Sequence, residues 1–225
     1  MTQQREGASF RDPNGHIYYE DGQIRRQVNT IFKKDYDLLM RSGLYEELVG
    51  LGLLIPHTEL EAAATTSQKA IYKVLEPQLV PFVSYPYEWS FSQLHDAALV
   101  TLRIQTIALS RGMSLKDASA YNIQFVDGKP LLIDTLSFEI YEPGKPWVAY
   151  KQFCQHFLAP LALMAQEDVR LSQLLRVYID GIPLDLASNL LGVKSRLKPS
   201  TAMHIHLHAK SQSKHAASAS QKPEV

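Results

Sequence analysis

An α+β fold is predicted for this chain of 225 residues. A small N-terminal antiparallel sheet lobe is expected over residues 1–84, a mainly helical C-terminal lobe over 85–208, and a tail or linker over 209–225. Three observations predict it. Short strand-like runs broken by Pro13-Asn14-Gly15 and Asp21-Gly22 open the chain, a long apolar helix occupies its middle, and a second Asp-Gly hairpin follows that helix.

In order, Phe10-Arg11, His16–Glu20 and Gln23–Val28 read as three short strands, with turns at Pro13-Asn14-Gly15 and Asp21-Gly22. Period-two alternation places Ile24, Arg26 and Val28 on one face of the third strand, and Arg25 and Gln27 on the other. Thr30–Arg41 and Leu44–Leu51 are helical in pattern, interrupted at Ser42-Gly43. Leu53–Leu60 and Ala70–Leu75 read as two further strands, joined by a small polar bridge at Ala62–Lys69, and Pro81–Pro86 as an extended crossing between lobes.

Ser90 followed by Gln93 signals a capping box, and Gly112 is a natural terminator. Ser90–Arg111 is therefore expected as one helix of about six turns. Leu94, Ala97, Leu99, Ile104, Ile107 and Ala108 are among apolar residues that cover most of its circumference, so it should be buried on several sides. His95 reads as a surface or structural histidine. Beyond the second hairpin, Trp147, Tyr150, Phe153, Cys154, Phe157, Leu158 and Leu161 recur at helical spacing and read as core, with Cys154 a small hydrophobe. His204, His206 and His208 alternate with Ile205 and Leu207. A strand there would line three imidazoles along one face, a weak metal signal against a solvated edge. Ala209–Val225 is too poor in apolar residues to order.

The chemistry concentrates in residues 113–134. Ile123–Val126 and Pro130–Ile133 flank Asp127-Gly128, a strong hairpin signal. A three-residue loop would set Asn122 opposite Asp134 on one face, and a two-residue loop would leave them diagonal neighbours. An Asn and an Asp suffice as the protein share of a Mg²⁺ site, because Mg²⁺ keeps several waters and takes the rest of its oxygens from substrate phosphates. Asp117 lies five residues upstream, in the turn entering the hairpin. Singly these are ordinary turn residues; together, at these intervals after a long helix, they point to phosphoryl transfer.

On these residues the chain resembles the protein-kinase-like superfamily, in particular its aminoglycoside-phosphotransferase-like branch, with a loop His-Gly-Asp-x-x-x-x-Asn and a metal strand ending in Ile-Asp. The resemblance implies Asp117 as the catalytic base, Asn122 and Asp134 on Mg²⁺, and Arg26 or Lys116 on the phosphates of ATP. Asp35, Asp37, Glu46 and Glu47 are the candidate partners of Arg26. Leu115-Lys116-Asp117 departs from His-Arg-Asp or His-Gly-Asp, Asp134-Thr135-Leu136 departs from Asp-Phe-Gly, and Gly15 stands alone where a Gly-rich loop is usual. Tyr85-Pro-Tyr-Glu-Trp-Ser-Phe-Ser-Gln-Leu, Lys116-Asp-Ala-Ser-Ala-Tyr-Asn-Ile-Gln and Ile133-Asp-Thr-Leu-Ser-Phe-Glu together resemble the N-terminal region of bacterial proteins described as SAM-dependent methyltransferases or nodulation-related proteins, over about residues 10–210. That resemblance implies a methyltransferase domain or partner. No Gly-rich strand-to-helix turn for SAM is present in these residues.

A hydrophobic share of 45% can fill a sizeable core. With 23 basic and 23 acidic residues, clustered positive charge for nucleic acid or an anionic membrane is not expected. Cys154 as sole cysteine excludes an internal disulfide. No signal segment follows Met1-Thr-Gln-Gln-Arg-Glu, which makes the cytoplasm the default expectation. Three functions stay open: an ATP- and Mg²⁺-dependent phosphotransferase with a small-molecule or protein hydroxyl acceptor, a pseudokinase-like substrate-binding or regulatory module for a methyltransferase, and a structural interaction domain.

Overall fold

The structure, a computed structural model, describes residues 4–5, 12–60 and 71–211. These form an α+β fold in two compact units. The first takes the chain up to residue 83 together with 100–116 and 122–147, and the second takes 84–99, 117–121 and the chain from 148 onward.

Strands β1 (Gln4–Arg5), β2 (Gly15–Glu20) and β3 (Gln23–Asn29) open the first unit, followed by helices α1 (Lys33–Arg41) and α2 (Leu44–Gly50), then β4 (His57–Leu60) and β5 (Ile71–Pro77). The strands make one antiparallel sheet in the order β1-β2-β3-β5-β4. Asp21 and Gly22 turn β2 into β3 with φ values of 50° and 78°, the pair of positive angles that a two-residue hairpin requires and Asp-Gly tolerates. Val28 on β3 packs with Phe32, Tyr36, Leu75 and Leu136 in a core that Met40 and Tyr72 extend.

The predicted first strand at Phe10-Arg11 and the polar bridge at Ala62–Lys69 lie outside the described residues. The strand found earlier, at Gln4–Arg5, pairs with Tyr18 and Tyr19. Leu53–Pro56 does not join the fourth strand as expected. Leu53 O accepts from Leu132 N, and Ile55 N donates back to Leu132 O, so this stretch is held by the later hairpin instead.

Helix α3 (Phe91–Ser110) carries the expected reciprocal capping box: Ser90 N donates to Gln93 Oε1 at 2.9 Å, and Gln93 N to Ser90 Oγ at 3.3 Å. Gly112, at φ 75°, follows its C-terminus. The remaining strands of the first unit are β6 (Met113–Leu115), paired with β9 (Phe138–Ile140), and the hairpin β7 (Ile123–Val126) with β8 (Lys129–Leu132).

The second unit is helical: the first turns of α3, then α4 (Tyr150–Phe153), α5 (Ala159–Gln166), α6 (Leu174–Val177), α7 (Leu184–Leu190) and α8 (Pro199–Thr201). The aromatic stripe predicted after the hairpin runs through α4, a π-helical stretch Cys154–Leu158 and α5, with Phe153, Cys154 and Phe157 buried. Trp147 precedes this helix and donates its indole N–H to the Leu115 carbonyl within the first unit.

The histidine strand predicted at 204–208 is not a strand. Pro199 starts a helical segment whose π-helical part spans Ala202–Leu207, and helical spacing keeps His204 and His208 on one side while sending His206 to another. His204 bonds the Tyr150 hydroxyl and His208 stacks on the same ring, whereas His206 lies between the Ser188 and Ser195 hydroxyls. Residues 209–211 continue the helix, and the rest of the predicted tail lies outside the described residues.

Gly15 supplies a test of the sheet register. A Cβ built there would stand 1.9 Å from the Gln27 carbonyl oxygen and 3.0 Å from Leu136 Cδ1. Gly15→Ala is therefore expected to cost about 3 kcal/mol through forced separation of β2 from β3, read as a lowered chemical-denaturation midpoint. An unchanged midpoint would contradict this packing.

Candidate functional site

The first unit carries a cation–carboxylate cluster at the edge of a cavity. Arg26 Nη2 contacts Asp134 Oδ1 at 2.8 Å and Asp12 Oδ2 at 3.2 Å, and the three side chains are only 13%, 17% and 29% exposed. Strand alternation aims Arg26 there, two residues before the core residue Val28 on the same face. Asp134 Oδ1 also accepts from Leu136 N at 2.9 Å, so the carboxylate caps the 3₁₀ turn Thr135–Ser137 that seats Leu136 in the core. Asp12 Oδ1 accepts from both the backbone and side-chain N–H of Asn14 at 2.9 Å, which fixes the other carboxylate in its turn.

The helix acids do not serve Arg26. Asp35 accepts from Ile140 N, Asp37 is bound by Lys33 and Tyr72, Glu47 pairs with Arg111, and Glu46 is exposed. Asp12 takes that place from the connection between β1 and β2. Its signal in the sequence was the Asp at the head of an Asp-Pro-Asn-Gly turn, just before a strand bearing an inward arginine.

The hairpin loop has two residues, Asp127 and Gly128, because Val126 pairs with Lys129 and Ile123 with Leu132. The three-residue alternative, with Asn122 opposite Asp134, is thereby replaced by the diagonal one. Ile133 N donates to the Asn122 carbonyl at 2.8 Å, and Asn122 Nδ2 donates to Ser137 Oγ at 3.4 Å. Asp134 Oδ2 and the Asn122 amide oxygen take part in none of these bonds. Among the described residues no group of three or more His, Cys, Asp and Glu is arranged to hold a metal.

Lys116 sits in the same unit with its ammonium 4.2 Å from the centre of the Phe32 ring. Burial pushes its pKa down, while Asp35, Asp12, Asp134 and Glu139 oppose that shift. Asp117 belongs to the second unit, where its Oδ1 accepts from Ser119 N at 2.9 Å and closes an Asx turn. Leu115, where the resemblance expects His, is fully buried in β6. Cys154 is buried and its thiol pKa is raised by that burial.

Arg26 forms part of the wall of a mostly apolar cavity of about 280 Å³ that lies wholly within the first unit. Ile17, Ile24, Ile55, Leu75 and Ile133 line it, and His57 is its histidine. Sequence reading missed His57, which sits in an otherwise ordinary edge strand. Burial holds its pKa down to about 4, against the raising influence of Glu59.

No family model matches the chain. Over 210 residues it is 35% identical to the nodulation protein NoeA of Rhizobium meliloti (strain 1021), a match covering 93% of this chain and 44% of that protein. The chain therefore spans less than half the length of that curated relative. Among solved structures it is similar to WbdD at 12% identity and a TM-score of 0.45, covering 93% of this chain and 50% of that one. The NoeA match agrees with the nodulation-related part of the sequence resemblance. No helix among the described residues is long and apolar enough to cross a membrane.

Two histidines, the part-buried His57 and the buried His156, give the protein a defined acid sensitivity. His57 in the first unit and His156 in the second both have pKa values lowered by burial from 6.5 to about 4. Both stay neutral when folded and take up a proton near pH 6.5 when unfolded. Their stabilisation is complete above pH 6.5 and lost as pH falls toward 4, by about 1–2 kcal/mol each near pH 5. Urea denaturation at about pH 7.5 and 5 should show this loss, and His156→Gln should reduce it; a pH-independent midpoint across that window would contradict it.

Proposed function

We propose that the first unit binds the phosphates of a nucleotide together with Mg²⁺, and that the chain is a kinase-like phosphotransferase acting on a hydroxyl acceptor. The observation that carries this reading is the 2.8 Å contact between Arg26 on β3 and Asp134 just after β8, at the wall of a largely apolar cavity. Such a site gathers a strand-three cation for the phosphates and a carboxylate after the hairpin for the metal, and this chain departs from it in pairing the cation with Asp12 and Asp134 instead of a helix acid. The apolar cavity beside it offers the enclosed, mostly hydrophobic surface that a planar ring system needs.

In this reading Arg26 is the phosphate ligand and Lys116 adds positive charge nearby. Asn122 and Asp134 would hold the Mg²⁺ through their free oxygens. When bound, the ion neutralises charge that develops on the transferring phosphoryl group. Asp117 would take the proton of the acceptor hydroxyl.

A second reading, a nucleotide-binding module without transfer activity, is favoured by one observation. Leu115 is buried and apolar at the position where the resemblance expects a polar histidine, so Asp117 lacks that support. In this version the module serves a methyltransferase domain or partner.

Titration calorimetry of ATP with and without Mg²⁺ tests the nucleotide reading. Wild-type protein should bind in a metal-dependent manner. Asp134→Asn, which keeps an oxygen for the Leu136 amide, should bind about tenfold or more weakly because a charged ligand is lost. Absence of binding to a folded wild type would overturn the proposal. Asp117→Asn separates the two versions: unchanged ATP binding with loss of slow ATP turnover supports a transferase, and no turnover in the wild type supports the module.

A further inference from the structure

In the second unit His206 stands between two serines, and the direction of each bond follows from the hydrogens available. Ser188 comes from α7, and His206 from the π-helical stretch Ala202–Leu207. Ser195 is buried and donates its one hydroxyl hydrogen to the Gly192 carbonyl at 2.6 Å. Its oxygen also lies 2.7 Å from His206 Nε2. With the Ser195 hydrogen committed, that contact is a bond only if Nε2 carries a proton and donates it.

Burial and the nearby Arg196 guanidinium both push the His206 pKa down, so near neutral pH the ring is uncharged and carries one proton. That proton is on Nε2, which leaves a lone pair at Nδ1. Ser188 Oγ lies 2.7 Å from Nδ1. Two lone pairs would repel at that distance, so Ser188 donates and Nδ1 accepts. Ser188 thus has its proton already directed at a base, and the tautomer of that base is set by a third group.

Ser188 and His206 are part-buried, and both line a cleft of about 520 Å³ that lies wholly within the second unit. Asn189, Arg196 and Lys210 line it too and carry N–H groups, and Asp185 is its carboxylate. With the imidazole neutral, two cations against one carboxylate leave the cleft positive. Negative charge developing beside Ser188 is favoured there.

We infer that Ser188 is a nucleophile with His206 as its general base, and that the cleft takes a carboxylic ester, passing its acyl group to Ser188 and then to water. This activity goes beyond the nucleotide reading and does not depend on it. In the first step the Ser188 Oγ–C bond forms as the hydroxyl proton passes to His206 Nδ1, and the ester C–O bond breaks as the alcohol leaves with that proton. In the second, water gives a proton to Nδ1 and attacks the acyl carbon, and the Oγ–C bond breaks as Ser188 recovers the proton. Water is the sole co-reactant.

The test treats the full chain with p-nitrophenyl acetate near neutral pH and locates the acetylated residue by peptide mass spectrometry. Wild type should be acetylated at Ser188 and should release p-nitrophenolate with turnover. In His206→Gln, acetylation of Ser188 should be about a hundredfold slower, the scale of general-base assistance. Equal rates at Ser188 in the two proteins, acetyl groups on other side chains with Ser188 unmodified, or no acetylation of folded wild type each overturn the inference. Nitrogen-15 NMR of the wild-type histidines keeps it testable should His206→Gln fold poorly. His206 should be an Nε2–H tautomer whose Nδ1 resonance shifts in Ser188→Ala. An Nδ1–H tautomer, which would make Ser188 the acceptor, contradicts it.

Discussion

The guanidinium of Arg26 is the constraint on which the first unit depends. A charge this enclosed must be paired, and breaking a buried pair by removing one partner typically costs about 3–5 kcal/mol. Two carboxylates from distant parts of the chain, Asp12 and Asp134, meet that requirement. Asp134 does more than neutralise it. The same Oδ1 that contacts Arg26 caps the turn that sets Leu136 into the core beside Val28 and Phe32. Ion pair, turn and core are thus coupled through one oxygen, and a change at any of them is transmitted to the others.

Around this pair the charges divide unevenly. Arg26 and Lys116 face the influence of Asp12, Asp35, Asp134 and Glu139, so local carboxylates outnumber local cations. A phosphate arriving alone would meet that excess, whereas a phosphate arriving with a divalent cation would relieve it. The adjoining cavity has the opposite character, being mostly apolar, with His57 held neutral. The first unit thus sets a charged cluster beside an apolar cavity, the contrast on which the proposed nucleotide reading rests.

Much of the fold was legible because it follows from local rules. The Ser90–Gln93 capping box and Gly112 bounded a helix found at Phe91–Ser110, and Asp21-Gly22 and Asp127-Gly128 turned hairpins where such pairs do. The alternation on β3 put Arg26 on the face of Val28. What the sequence did not reveal depended on contacts far apart in the chain. Asp12 as the partner of Arg26 needs the register of β2 on β3, which no local pattern encodes, and helix acids were the nearer guess. His57 is singled out by Tyr36 and Glu59, whose convergence is tertiary. The histidines at 204, 206 and 208 satisfied a strand's alternation, yet a helix starting at Pro199 and the hydroxyls of Tyr150, Ser188 and Ser195 decided their arrangement. The intervals among Asp117, Asn122 and Asp134 were visible in the sequence, but the two-residue loop that leaves Asn122 and Asp134 diagonal was settled only by strand pairing.

The central claim is that Arg26 and Asp134 mark where phosphate and metal are held. Paramagnetic broadening by Mn²⁺-ATP in amide NMR spectra tests it most directly, because the effect falls steeply with distance from the ion. The account predicts that Asn122, residues 133–136 and Arg26 broaden first, and that excess Mg²⁺-ATP restores them. Broadening centred elsewhere, or none at nucleotide concentrations that saturate ordinary kinase sites, would contradict it.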